Sequence, residues 1–195
     1  MKEKQFGPGL HYGGNLKIAI GIDQSLTGFA LTFLDVNDHN SFSTFVYKSP
    51  YFGIQRLDDL SSYLTGSIHH YSQFGEFHDV AMEGTVLASP SALVLGELSA
   101  VVKLALWDYF EPGSTLRTPL QIPPMTLKKY ATGKGTAKKQ EMLLQIYKRW
   151  GVEFNDDNAA DSYALAKIAT GIPNGAIETE IQEKIKDPKY RDFIQ

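Results

Sequence analysis

Apolar positions fall into short blocks whose period changes along the chain. Leu16–Asp23 (Leu-Lys-Ile-Ala-Ile-Gly-Ile-Asp) is nearly unbroken and β-branched, which predicts a central strand buried on both faces and ending on a carboxylate. The polar turn Gln-Ser-Leu-Thr-Gly leads into a second run, Phe29–Val36, and together they read as a hairpin. Ser41–Lys48, with Phe42, Phe45 and Tyr47, makes a third strand that Pro50 ends. The spacing then turns helical: Ile54, Leu57, Leu60, Leu64, Ile68 and Tyr71 recur in steps of three and four. Phe77–Glu83 is a fourth strand, also ending on a carboxylate. Ser91–Phe110 is a long helix, apolar on most sides, as expected of one packed against a sheet or a partner subunit. Arg117–Ile122 is a fifth strand before Pro123-Pro124. Helices follow over Met125–Ala131, Ala137–Trp150 and about Asn158–Thr170, and Ile177, Ile181 and Ile185 stripe a short helix in the tail.

A strand meander followed by helix, strand, helix, strand and helices predicts an α/β fold: a five-stranded mixed sheet, three strands antiparallel and then two parallel, flanked by helices. The first and fourth strands can then lie side by side and parallel, so that Asp23 and Glu83 emerge at one edge. That carboxyl edge is where open α/β sheets bind ligands. Residues 16–171 carry this domain. Residues 1–15, with Gly7, Gly9, Gly13 and Gly14, read as a flexible N-terminal arm, and residues 172–195 as a C-terminal tail.

Composition narrows the function. A net charge of −3 does not make the whole chain a polyanion binder, so any nucleic-acid site must come from local clustering. The absence of cysteine removes disulfides, thiolate zinc sites and cysteine nucleophiles, and fits a reducing, cytoplasmic setting. No apolar stretch reaches membrane-spanning length without a charge. His69-His70 and the scattered His11, His39 and His78 offer no rival site.

A third acidic feature is Asn155-Asp156-Asp157-Asn158-Ala159-Ala160-Asp161. Helix capping accounts for Asp156, Asp157 and Asn158. It does not account for Asp161, a turn inside a helix of small apolar residues, where a carboxylate needs a partner and a cation is the natural one. Asp157 and Asn158 lie four and three residues before it, on the same helix face. Asp23, Glu83 and Asp161 thus supply oxygen ligands from three elements, the donor type that Mg²⁺ prefers. Two such ions about 3.5–4 Å apart can activate a water and stabilise the leaving oxygen in phosphodiester cleavage.

Between Lys128 and Arg149 stand seven basic residues (Lys128, Lys129, Lys134, Lys138, Lys139, Lys148, Arg149) against one acid, Glu141. A solvated helix face is the ordinary reading of such a run. Here the lysines flank Gly133 and Gly135 at a helix junction, and phosphate-backbone binding fits better than nucleotide binding because Gly-Lys-Gly lacks the spacing of a Walker loop.

In this order the motifs resemble RuvC-type Holliday junction resolvases of the RNase H-like superfamily, in a diverged or phage-type form. Ile20-Gly21-Ile22-Asp23 with Thr27-Gly28 resembles the first motif, Met82-Glu83 the glutamate at the end of the fourth strand, and Leu95-Gly96 the Leu-Gly of the long helix. Lys128 through Gln140 is similar to the family's lysine, Gly-x-Gly and Ala-x-Lys, and Ala159–Ala166 to its last motif. The resemblance implies an RNase H-like fold and Mg²⁺-dependent cleavage of four-way DNA junctions by a homodimer, with paired nicks. Two Mg²⁺ ions per site, replaceable by Mn²⁺, would lie on Asp23, Glu83 and Asp161, with Asn158 or Asp157 assisting. Lys128 and Lys139 match lysines near the scissile phosphate, and Lys129, Lys134 and Lys138 extend the DNA-binding run.

The chain departs from the pattern in a shorter loop after Asp23, in the neutral Asn158, and in Val86-Leu87 where the cellular family has an aromatic. Val86-Leu87 motivates one alternative, a nuclease of broader branched-DNA, flap or RNA–DNA hybrid specificity. Asn158 motivates another, a catalytically vestigial DNA-binding protein. An actin-like ATPase shares the Gly-Ile-Asp strand but needs a second similar domain.

Overall fold

The computed structural model describes residues 2–10, 15–84 and 92–191. Its strands are β1 (Lys2–Gly9), β2 (Leu16–Asp23), β3 (Phe29–Asp35), β4 (Phe42–Lys48), β5 (Gly75–Glu83) and β6 (Leu120–Ile122). Its helices are α1 (Gly53–Tyr71), α2 (Ala92–Tyr109), α3 (Pro124–Thr132), α4 (Lys139–Trp150), α5 (Asp157–Ala169) and α6 (Ala176–Ile185). The strands form one six-stranded sheet in the order β1-β4-β3-β2-β5-β6. Neighbours from β1 through β2 are antiparallel; β2–β5 and β5–β6 are parallel.

The expected five-stranded sheet therefore has a sixth strand, and the stretch expected as an N-terminal arm supplies it. Lys2–Phe6 pairs with Thr44–Lys48, and Gly9 with Phe42 after a register shift. The polar sequence Lys-Glu-Lys-Gln-Phe-Gly-Pro-Gly shows no strand signal because an edge strand needs little burial and tolerates a proline. Phe6 anchors it by packing edge-on against Phe154.

Strand alternation sorts the core into two layers. Ile18, Ile20 and Ile22 of β2, with Phe29, Leu31 and Phe33 of β3 and Val80 and Met82 of β5, pack against α1 and α2. Ala19, Ala30 and Ala81 face the other way, against α3 to α6 and most closely α5. That second face is built from small residues, so helix and sheet approach closely. A Cβ on Gly21 would collide with the Ser162 carbonyl and the Ala166 nitrogen. A buried chain of hydroxyls fastens the contact: Thr44 to Thr32 at 2.7 Å, Thr32 to Ser162 at 2.9 Å, and Ser162 donating to the Ala159 carbonyl at 3.0 Å.

The tail folds back on the domain. Ile181 and Ile185 of α6 are buried in the α5 layer. Beyond α6, Arg191 pairs with Asp79 and donates to the carbonyls of Thr115 and Thr118 beside β6.

Candidate active site

Asp23 and Glu83 are the last residues of two neighbouring parallel strands, whose final registered pair is Ile22 with Met82. Counting back by two, Asp23 shares a face with Gly21 and Ala19, and Glu83 with Ala81, which is the face that α5 covers. Asp161 lies one turn into that helix. The Asp156 side chain caps α5, accepting from the backbone N–H groups of Asn158 and Ala159. Capping thus accounts for Asp156 alone and leaves Asp157 and Asp161 to other work.

The three carboxylates act on one another. Asp23, buried, is pushed well above the usual carboxylate range, first by loss of solvation and then by the charges of Glu83, Asp161 and Asp157. Asp161 is raised to about 7 by burial and by Glu83 and Asp157, against the lowering pull of Lys128 and Lys139. Glu83 is raised by burial, opposed by the Lys128 charge and a hydrogen bond with Asp23. Burying several carboxylates together is costly unless a cation joins them. Among the described residues no three acidic or histidine groups stand already arranged to hold a metal ion. The donor set is nonetheless all carboxylate oxygen, with Asp23 buried and Glu83 and Asp161 half-buried, which fits a hard divalent cation.

The residue beside Asp161 was open between Asp157 and Asn158. Asp157 faces Lys139, and this ion pair lowers its carboxyl and raises the lysine. Its charge still reaches Asp23 and Asp161. The Asn158 amide lies against Gly28 in the turn after β2, so tightly that a Cβ on Gly28 would overlap it.

The basic run divides. Lys128 on α3 and Lys139 at the start of α4 both act electrostatically on the acidic cluster. Lys129 turns away to Glu180 on α6 at 2.6 Å, and Lys134 reaches Glu141 at 3.4 Å. Lys138 is exposed beside Lys139. Arg149 is structural: it donates to the carbonyls of Tyr130 and Ala131 and pairs with buried Glu178. Val86-Leu87 lie outside the described residues.

One residue of the site escaped the sequence reading. Gln24, directly after Asp23, is buried, and its Nε2 donates to the Glu83 carbonyl at 2.6 Å. From sequence it is only a polar turn residue, because its partner is 59 positions away.

Sheet order, the parallel β2–β5 pair and α5 across them give the chain the fold of RuvC-type Holliday junction resolvases. Thermus thermophilus RuvC superimposes with a TM-score of 0.60 at 18% identity, covering 89% of this chain and 98% of that one. Thermus thermophilus RuvC in complex with a Holliday junction substrate gives 0.59 at 20% identity, over 80% and 92%. The yeast mitochondrial Holliday junction resolvase Ydc2 gives 0.51 at 16% identity, over 92% and 83%. At the level of sequence, no family model and no curated protein matches the chain.

Proposed function

We propose that the protein is a metal-dependent DNA endonuclease that resolves four-way junctions, acting as a homodimer that makes paired nicks. The observation that carries this reading is the convergence of Asp23, Glu83 and Asp161 at the carboxyl ends of β2 and β5 beneath α5, with Lys128 and Lys139 within electrostatic reach. The likeness to a RuvC whose complex with a Holliday junction is known supports the choice of substrate.

Asp23, Glu83 and Asp161 would hold Mg²⁺, with Asp157 supplying the further carboxylate and Asn158 packing the turn that carries Asp23. Bound there, Mg²⁺ supplies a more acidic water and positive charge opposite the leaving 3′ oxygen. Lys128, Lys138 and Lys139 hold the phosphate backbone on the open side of the carboxylates and set the strand in line. Burial of Asp23 and half-burial of Glu83 and Asp161 strengthen these charge interactions.

The test is cleavage of a labelled mobile four-way junction with Mg²⁺ and with EDTA. Symmetric paired nicks that require Mg²⁺ are expected. Asp23→Asn should lower the rate by about 10²–10³-fold or more while leaving junction binding intact, since removal of one electrostatic element at a reacting centre typically costs 10²–10³-fold. Undiminished cutting by the variant would remove Asp23 from the mechanism. A labelled RNA–DNA hybrid run in parallel separates junction resolution from the broader nuclease reading.

A further inference from the structure

Backbone pairing leaves the site's two strand-end carboxylates without a shared rung. The β2–β5 register stops at Ile22–Met82, one residue short of both carboxylates. Gln24 supplies that link through its side chain: Nε2 donates to the Glu83 carbonyl at 2.6 Å. The opposite strand-end contact is also closed, because the Gly84 N–H donates to the Ile122 carbonyl of β6. Gln24 is 6% exposed, and its buried Oε1 has no hydrogen-bond partner among the described residues. An amide holds its oxygen next to its nitrogen, so this oxygen too lies close to the Glu83 main chain, at the strand end that carries the Glu83 carboxylate.

A buried carbonyl oxygen with no donor costs roughly as much as a lost hydrogen bond. Apolar Met or Leu would fill the same space without that cost. The side chain therefore makes sense if a donor reaches Oε1 in the working state. With the carboxylates ionised, as holding a cation requires, neither they nor a phosphodiester oxygen can donate; a water bound to a cation can, and its protons are unusually acidic.

We propose that Gln24 is a positioning residue of the metal centre. Its Nε2 locks the main chain of Glu83 against β2, and its Oε1 accepts a hydrogen bond from a water on the metal held by Asp23, Glu83 and Asp161. This rests on the metal-dependent reading of the site. It assigns a role to a residue that belongs to no motif of the sequence. Hydrogen-bonding partners of this kind, one shell out from the ligands, typically change metal affinity by 10–100-fold when removed.

The test is Mn²⁺ binding to the DNA-free protein, followed by calorimetry and by the electron paramagnetic resonance of bound Mn²⁺. It compares the native chain with Gln24→Met, Gln24→Glu and Asp23→Asn, with thermal unfolding in EDTA as a fold check. Gln24→Met should bind Mn²⁺ roughly 10–100-fold more weakly while unfolding cooperatively near the native temperature. Gln24→Glu keeps an acceptor at Oε1 while losing the Nε2 donor, and should bind Mn²⁺ more tightly than Gln24→Met. A purely structural glutamine predicts the reverse order, because a fourth buried carboxylate beside the Glu83 carbonyl would disturb the fold more than methionine. Native affinity in Gln24→Met, with binding lost in Asp23→Asn, would overturn the role of Gln24 and leave the metal site standing. Native affinity in Asp23→Asn as well would overturn both.

Discussion

Lys167 sits two turns along α5 from the acidic cluster, yet it is 2% exposed. Its ammonium donates to Nδ1 of His39 in the β3–β4 turn and lies 5.6 Å from the Trp150 ring centroid. Loss of solvation pulls it down to about 8, with Glu178 resisting and Arg149 adding to the fall. His39 is lowered as well, by its own burial and by the Lys167 charge, which keeps its ring neutral and able to accept. The sign of the pH effect follows. Between about pH 8 and 10.5 the unfolded chain holds a proton on this lysine that the folded chain has released. Folding stability from this group therefore rises with pH through that window and is lost as pH falls towards 8. A Lys167→Met variant should be more favoured relative to native near pH 7.5 than near pH 10, by about 2–2.5 kcal/mol. Urea denaturation of both proteins at the two pH values checks it; a constant gap would show that the lysine keeps its ordinary proton affinity when folded.

At the scale of elements, α6 shows how a tail becomes part of a fold. Glu178 is fully buried at its start, where it accepts from Arg149, from the Trp150 indole at 3.2 Å and from the backbone N–H of Asn174 at 2.7 Å. Removing one partner of a buried pair leaves an uncompensated charge. Glu178→Ala should cost about 3–5 kcal/mol and lower the melting temperature by roughly 6–20 °C, read by calorimetry, without changing cleavage at low temperature. The stripe Ile177, Ile181 and Ile185 makes the helix visible in the sequence; the glutamate between them looks like surface, because its partners lie on another helix. The same division runs through the whole chain. β2, β5 and α5 are legible because burial on both sides writes unbroken apolar runs, and Asp161 stands out for lacking an apolar excuse. β1 is not legible, since an edge strand can be almost wholly polar. Gln24 is invisible too, since its meaning is a contact across strands far apart in sequence. In the basic run, composition and spacing distinguish none of the cations; the family resemblance picks out Lys128 and Lys139, and the fold sets them near the carboxylates and apart from Arg149, which braces α3 against α6.

For the whole molecule, the proposed junction resolution asks one site per chain to cut two strands. α2 buries Leu98, Val102, Ala105 and Leu106 against the sheet. On its outer side Leu93, Glu97, Ala100, Leu104 and Trp107 are exposed in steps of four and three. That is the spacing of a helix that packs along another helix, with one charge in an otherwise apolar seam. Leu104 is 60% exposed, beside the groove formed with Ile54 and Leu57 of α1. Apolar surface so arranged favours a second copy seated on the same helix, which makes a self-complementary two-fold contact. The α2 face is on the opposite side of the sheet from α5, so pairing there leaves both carboxylate clusters open. In such a dimer the second nick becomes intramolecular and outruns dissociation, because the second site works at a high effective concentration. Leu104→Glu places a charge in the centre of the seam and should convert the dimer to a monomer in sedimentation velocity. Mn²⁺ binding should persist, junction binding should weaken at least about tenfold from lost avidity, and paired nicks should give way to single, unlinked ones. A native chain that sediments as a monomer at working concentration and still cuts in pairs would place the coordination in the DNA rather than in α2.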